Sequence, residues 1–184
     1  MTASGARNGP PTSPATVPAP AQPVIGETIR SRTPDCFGCG ERADGLGMEL
    51  MLTGEYAITG RVDITEAHQG APGLAHGGIL SAAFDEVLGA IPWYLIGDAV
   101  TVQLNVSYKV PVPVGSQLLI QGQLDKQEGR KVFVSGVAQL PDGKEAALAE
   151  AIFVRVPSSH FTVTPDPQNS PPEPDCQDPK DSHD

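Results

Sequence analysis

The sequence predicts an α+β domain in which one helix is enclosed by an antiparallel sheet of five or six strands, on three observations. Across residues 79–91 nearly every position is apolar or small on all sides of a helical wheel, so a helix there has to be surrounded by protein. From residue 99 to residue 156 β-branched side chains alternate with polar ones in segments separated by turn signals, which is strand period throughout. The segments are consecutive and their turns short, so they read as a meander whose sheet must curve to cover a single helix on most sides.

The ends set the limits of that domain. Of the 19 prolines, six lie by Pro23 and seven from Pro157 onward. Both ends lack apolar periodicity and cannot offset the entropy of ordering, so residues 1–24 read as a disordered Pro-rich extension and residues 157–184 as a disordered acidic, Pro-rich tail. Residues 25–156 are the folded domain. The tail holds six acids against Lys180, a net of -5 out of the formal -10 of the chain. The folded part is therefore only mildly acidic and offers no nucleic-acid surface. No apolar run approaches a membrane span, no signal peptide is evident, and three cysteines form no disulfide framework, so a cytoplasmic protein is expected.

Residues 25–45 form an irregular lead-in broken by Thr33-Pro34-Asp35, Gly38, Gly40 and Gly45. Within it Cys36-Phe37-Gly38-Cys39 has the spacing of half a zinc site, but no second ligand pair follows, so it reads as two thiols in a turn and no metal is expected. Residues 46–52 and 56–64 read as strands joined at Thr53-Gly54-Glu55, and the loop 65–75 delivers the chain to His76. The helix follows, and Pro92 stops it. A connection over residues 92–98 holds Trp93 and Tyr94. In the next strand Val100, Val102, Leu104, Val106 and Tyr108 share one face, with Thr101, Gln103, Asn105 and Ser107 on the other. Pro111-Val112-Pro113 interrupts, and strands over 116–126, 131–140 and 145–156 turn at Glu128-Gly129 and Pro141-Asp142-Gly143.

Two features of the helix suggest chemistry. His76-Gly77-Gly78 stands where Ser, Thr, Asp or Asn would cap the first N–H groups, which leaves those donors free beside glycines that obstruct nothing. Such donors suit an oxygen that becomes negative during reaction, although a Gly-Gly pair also serves tight packing alone. The second feature is the adjacent pair Asp85 and Glu86 inside the apolar run, because a buried acid is costly unless paired or hydrogen-bonded. Glu86, 100° round the helix, faces elsewhere and reads as a polar residue at the helix margin. Asp85 lies roughly 10 Å along the axis from Gly78. A base must come within about 3 Å, or one water, of its target. One chain therefore does not easily supply both groups to one carbonyl, whereas two antiparallel helices from two copies do, and a homodimer with its sites across the interface is expected.

The loop His68-Gln69-Gly70-Ala71-Pro72-Gly73, the motif His76-Gly77-Gly78, Asp85 nine residues after that histidine, and the strand from Thr101 to Lys109 followed by Pro-Val-Pro together resemble the hotdog thioesterases. Within them the pattern is similar to the PaaI-like branch that includes the thioesterase superfamily members. The likeness covers roughly residues 35–156, and Cys36-Phe37-Gly38-Cys39 with Gly45-Leu46-Gly47 also looks like the opening of many bacterial members. It implies a hotdog fold, a dimer often paired into a tetramer, and hydrolysis of an acyl-CoA thioester without a cofactor. By the resemblance Asp85 is general base or nucleophile, the Gly77 and Gly78 N–H groups polarise the carbonyl, His76 supports that loop or orients substrate, and Thr101 helps place the water or the acid. Members with a carbonyl-positioning Asn or Gln carry it six residues before the histidine, where this chain has Gly70, with Gln69 and His68 beside it as substitutes. Glu86, Trp93, Lys109 and Arg130 complete the candidate substrate contacts, Trp93 for an acyl group and the two cations for phosphates. Two other readings stay open: a non-catalytic acyl-thioester binding module, and a hotdog hydratase or dehydratase, whose acid would fall near Ala82 and Ala83.

Overall fold

The computed structural model describes residues 24–29, 31 and 33–161 of the 184. The expected extension over 1–24 lies outside them up to residue 23, and the expected tail over 157–184 lies outside them from residue 162, while its first residues, 157–161, are ordered. The described residues form one antiparallel sheet of seven strands, β1 (Thr28–Ile29), β2 (Glu49–Gly54), β3 (Ala57–Asp63), β4 (Ala99–Tyr108), β5 (Gln117–Glu128), β6 (Lys131–Gln139) and β7 (Glu145–Arg155), around one helix, α1 (Gly77–Leu95). The order across the sheet is β1-β2-β3-β5-β6-β7-β4.

Three expectations need correction. The sheet has a seventh strand, β1, whose two residues are too few to show any alternation. The meander holds for β5, β6 and β7, but β4 pairs with β7 at the far edge and not with β5. The segment with Pro111 and Pro113 makes no hairpin; it packs against the loop before α1, where the Ala75 N–H donates to the Val112 carbonyl at 2.8 Å and Leu74 bridges to Pro113. Finally, Pro92 does not stop the helix. It removes one donor and its ring is buried, while the N–H groups of Ile96 and Gly97 return to the Pro92 carbonyl at 3.0 and 2.7 Å. The stop is Gly97, at φ 142°, a positive angle that favours glycine after a helix. Trp93 and Tyr94 therefore ride on the last turn of α1. Beyond Val156 the chain makes a short 3-10 turn, Ser158–Phe161, and the Phe161 ring meets Trp93 edge-on at 5.0 Å.

The sheet holds α1 closely because three strands offer glycine beneath it. A Cβ at Gly60 in β3 would collide with Val87, and one at Gly122 in β5 would lie 2.9 Å from Leu88 and 3.1 Å from Val87. In β6, a Cβ at Gly136 would lie 3.0 Å from Leu88. Gly122 and Gly136 are direct partners in the β5–β6 register, so the seat is continuous across the strands. Leu80, Phe84, Val87, Leu88 and Ile91 are buried on this side. The opposite stripe of α1, Gly78, Ser81, Ala82, Asp85 and Gly89, is exposed or only half-buried in the single chain. Gly60→Ala is expected to overpack the seat and destabilise the domain by about 1–3 kcal/mol. Thermal melting checks this: adding Val87→Ala to Gly60→Ala should cost less than the sum of the two single losses, since the two atoms compete for one space.

Candidate active site

The helix opens differently from expectation. His76 is the N-cap, at φ -68° and ψ 135°, and its own Nδ1 accepts the Gly78 N–H at 2.9 Å. The imidazole thus does what a Ser or Asp side chain does elsewhere, so the idea of two free donors is corrected: Gly78 is spent. The same peptide is held from its other end, because the Gly77 carbonyl accepts from Tyr108 Oη at 2.9 Å and from Ser81 Oγ at 3.3 Å. Tyr108 Oη and Ser81 Oγ are themselves 2.7 Å apart. The preceding carbonyl, of His76, accepts the Ile79 N–H at 2.9 Å. What is left is the Gly77 N–H, which meets no acceptor among the described residues. One donor at the helix start, backed by the helix dipole, is therefore left without a partner among the described residues.

Asp85 is exposed in the single chain and not buried, because the sheet covers only the other side of α1. Its Oδ1 accepts from Thr101 Oγ1 at 2.8 Å. Strict alternation places Thr101 opposite Leu104 and Val106, but a bulge alters the phase. The β4–β7 register steps from Thr101↔Phe153 to Gln103↔Ile152, so Val102 is an extra residue; it lies 57% exposed. A bulge re-aims the side chains on one side of it, and here it brings Thr101 to the α1 side along with Leu104, Val106 and Tyr108.

Asp85 and Thr101 line a cavity of about 440 Å³ together with Gly89, Ala90, Trp93, Val100 and Phe153. A larger concavity of about 510 Å³ crosses the sheet elsewhere, lined by Thr59, Gln121, Ser135 and Glu150, and holds none of the predicted site residues. Of the candidate substrate contacts, Trp93 and Glu86 belong to the Asp85 cavity and the others do not. His68 is buried, with Nδ1 accepting the Thr65 N–H at 3.2 Å, so its ring closes a 3-10 turn at Glu66–His68. Gln69 Oε1 accepts the Gly73 N–H at 2.8 Å and closes its own loop. Gly70 lies against His76, where an added Cβ would come 2.9 Å from His76 Cα. Lys109 and Arg130 are exposed and do not line the cavity.

Sequence reasoning missed three participants. Tyr108 and Ser81 look like a strand end and a small helix residue, and only the folded chain brings them to the Gly77 carbonyl. The third is the thiol pair. Glu86, expected at a bland margin, reaches instead into the Cys36-Phe37-Gly38-Cys39 turn, with Cys36 Sγ donating to its Oε2 at 3.4 Å. Burial, then the hydrogen bond to the Glu86 carboxylate, push the Cys39 thiol well above its ordinary range. No local signal joins residues fifty positions apart.

Comparison with known proteins agrees with this architecture. Residues 72–147 match the family model described as Thioesterase superfamily. The chain is similar to the acyl-coenzyme A thioesterase THEM4 of Xenopus laevis, 32% identical over 70% of this chain and 60% of that protein. It is 39% identical to the mouse (Mus musculus) THEM4 over 61% of this chain and 50% of that protein. The chain thus spans half to three fifths of these relatives. In structure it resembles the E. coli PaaI protein, with a TM-score of 0.58 at 18% identity over 61% of this chain and 81% of that one, a likeness of fold alone. The helix wrapped by an antiparallel sheet is the hotdog fold, and within it residues 72–147 carry the similarity to the thioesterase superfamily.

Proposed function

We propose that the protein hydrolyses an acyl-CoA thioester in a homodimer, each site combining Asp85 of one chain with the Gly77 N–H of the other. The observation that carries this reading is the Asp85 carboxylate, held by Thr101 at 2.8 Å on a largely apolar cavity of about 440 Å³. Gly77 lies eight residues earlier in α1, roughly 12 Å along the axis, too far to serve a carbonyl at its own Asp85. The uncovered stripe of α1 and the edge strand β4, with Val102 57% and Tyr108 52% exposed, are surfaces on which a second copy lies antiparallel. The names of the THEM4 relatives support the substrate class.

In this reading the thioester carbonyl accepts the Gly77 N–H. Asp85, open to solvent, takes a proton from water as the water oxygen bonds to the carbonyl carbon. The resulting oxyanion sits on the donor and the positive end of the helix, an interaction worth on the order of 3 kcal/mol. Collapse breaks the carbon–sulfur bond, and the proton on Asp85 passes to the departing sulfur, giving free acid and CoA. Direct attack by Asp85 through a mixed anhydride would use the same carboxylate. Trp93 lines the space for the acyl group.

Thiol release from a panel of acyl-CoAs is the test. Asp85→Asn should slow it by roughly 10²–10⁴-fold; equal rates, or binding by the unsubstituted protein with no thiol released, would overturn the enzyme reading. Gly77→Pro removes the single donor at the first helical position, where proline is favoured, and His76 already has the extended backbone that a following proline requires. It should lose about 10²–10³-fold in rate with an unchanged circular dichroism spectrum. Mixing the two inactive variants checks the shared site: random reassociation leaves one intact site in each mixed dimer, so about a quarter of the activity returns. A site within one chain would return none.

A further inference from the structure

We infer that Cys36, Cys39 and Glu86 form a binding site for one zinc ion, independent of the thioesterase reading. The two thiols sit on a tightly tied turn. The Cys36 N–H donates to the Thr33 carbonyl at 2.9 Å and the Gly40 N–H to the Cys36 carbonyl at 3.0 Å. The Leu46 and Met48 N–H groups close on the carbonyls of Phe37 and Gly38 at 2.7 and 2.9 Å, which fixes the turn beside the start of β2. Into this turn α1 sends Glu86, and two sulfurs and a carboxylate oxygen come within 4.8 Å of one another. Ligands about a tetrahedral zinc, at about 2.3 Å for sulfur and 2.1 Å for oxygen, stand roughly 3.5–3.8 Å apart. The Cys36 Sγ to Glu86 Oε2 separation, 3.4 Å, is already close to that spacing.

The turn is shaped for the carboxylate. Glu86 fills the space that a Cβ on Gly38 would need, so the third residue of the Cys-x-x-Cys has to be glycine if the acid is to reach the thiols. Ser31 Oγ lies 3.2 Å from Cys39 Sγ, an outer hydrogen-bond partner of the kind that orients metal ligands. No ion pair reaches Glu86 among the described residues. Two soft sulfurs with one carboxylate favour zinc over magnesium or calcium. Because all three residues line the Asp85 cavity, the fourth position on the metal opens to water there. The ion would clamp the lead-in loop to the helix one residue from Asp85.

Elemental analysis of the full chain, isolated reduced and without chelator, should find about one zinc per chain. Cobalt added to the stripped protein should give sulfur-to-cobalt charge-transfer absorption that saturates at one equivalent. Cys36→Ser and Cys39→Ser should abolish that band. Glu86→Gln, nearly the same shape, should weaken metal binding at least about tenfold with an unchanged circular dichroism spectrum. The inference is overturned if the unsubstituted chain, with both thiols shown free by titration, takes up neither metal at micromolar concentrations. It is equally overturned if Glu86→Gln binds as tightly as the unsubstituted chain. Thiol release by the same samples is scored apart, so the fate of the zinc site and that of the hydrolase reading do not depend on each other.

Discussion

Contact between α1 and the glycines beneath it determines what the rest of the domain can do. With no Cβ at Gly60, Gly122 or Gly136, Val87 and Leu88 descend almost to the strand backbones. A helix seated that deeply is fixed in rotation as well as in position, since any turn about its axis would lift those side chains out of the seat. Fixing the rotation decides which residues are hidden and which are offered. Phe84 and Leu88 go to the core, and the stripe through Gly78, Ser81, Asp85 and Gly89 is left uncovered. Interior packing of this density does not deform continuously, so the orientation of Asp85 is inherited from apolar contacts on the far side of the helix.

Much of this was legible in the residue order. The apolar run of α1, the strand periods and the turn glycines at Gly129 and Gly143 each carry a local physical reason, and each element is found near its expected bounds. The failures are also physical. A prolyl ring in the last turn of a helix costs only one hydrogen bond, and burial of that ring offsets it, so Pro92 could not be read as a stop from its identity alone. Position β4 depends on a crossing segment that owes its path to contacts with the loop before α1, and no alternation reports that.

The candidate site shows the same division. Asp85 and the Gly77-Gly78 helix start drew notice because an acid in an apolar run, or a helix start without Ser, Thr, Asp or Asn, is anomalous on its own, without knowledge of neighbours. Val102 could not be seen as a bulge, since it is a β-branched residue in perfect alternation; only the register against β7 exposes the extra residue, and with it the reason Thr101 reaches Asp85. The expectation of two free donors failed for a related reason. Histidine is rarely expected to cap a helix, yet a neutral Nδ1 accepts as well as a hydroxyl does, and it occupies the donor of Gly78.

That substitution of imidazole for hydroxyl narrows the chemistry. A helix start with both early N–H groups open would bind any anion loosely, whereas here the Gly77–Gly78 peptide is held at its carbonyl by Tyr108 and at its N–H by His76. The remaining donor, the Gly77 N–H, belongs to the preceding peptide, which is tied at its His76 carbonyl by the Ile79 N–H at 2.9 Å. Preorganised donors act on a transition state because they need not reorient as charge develops. Tyr108 belongs to β4, the edge strand, and so does Thr101, which holds Asp85. One strand therefore aligns both ends of α1, holding the Gly77 carbonyl through Tyr108 and the Asp85 carboxylate through Thr101, and the shared site proposed for a dimer rests on that strand.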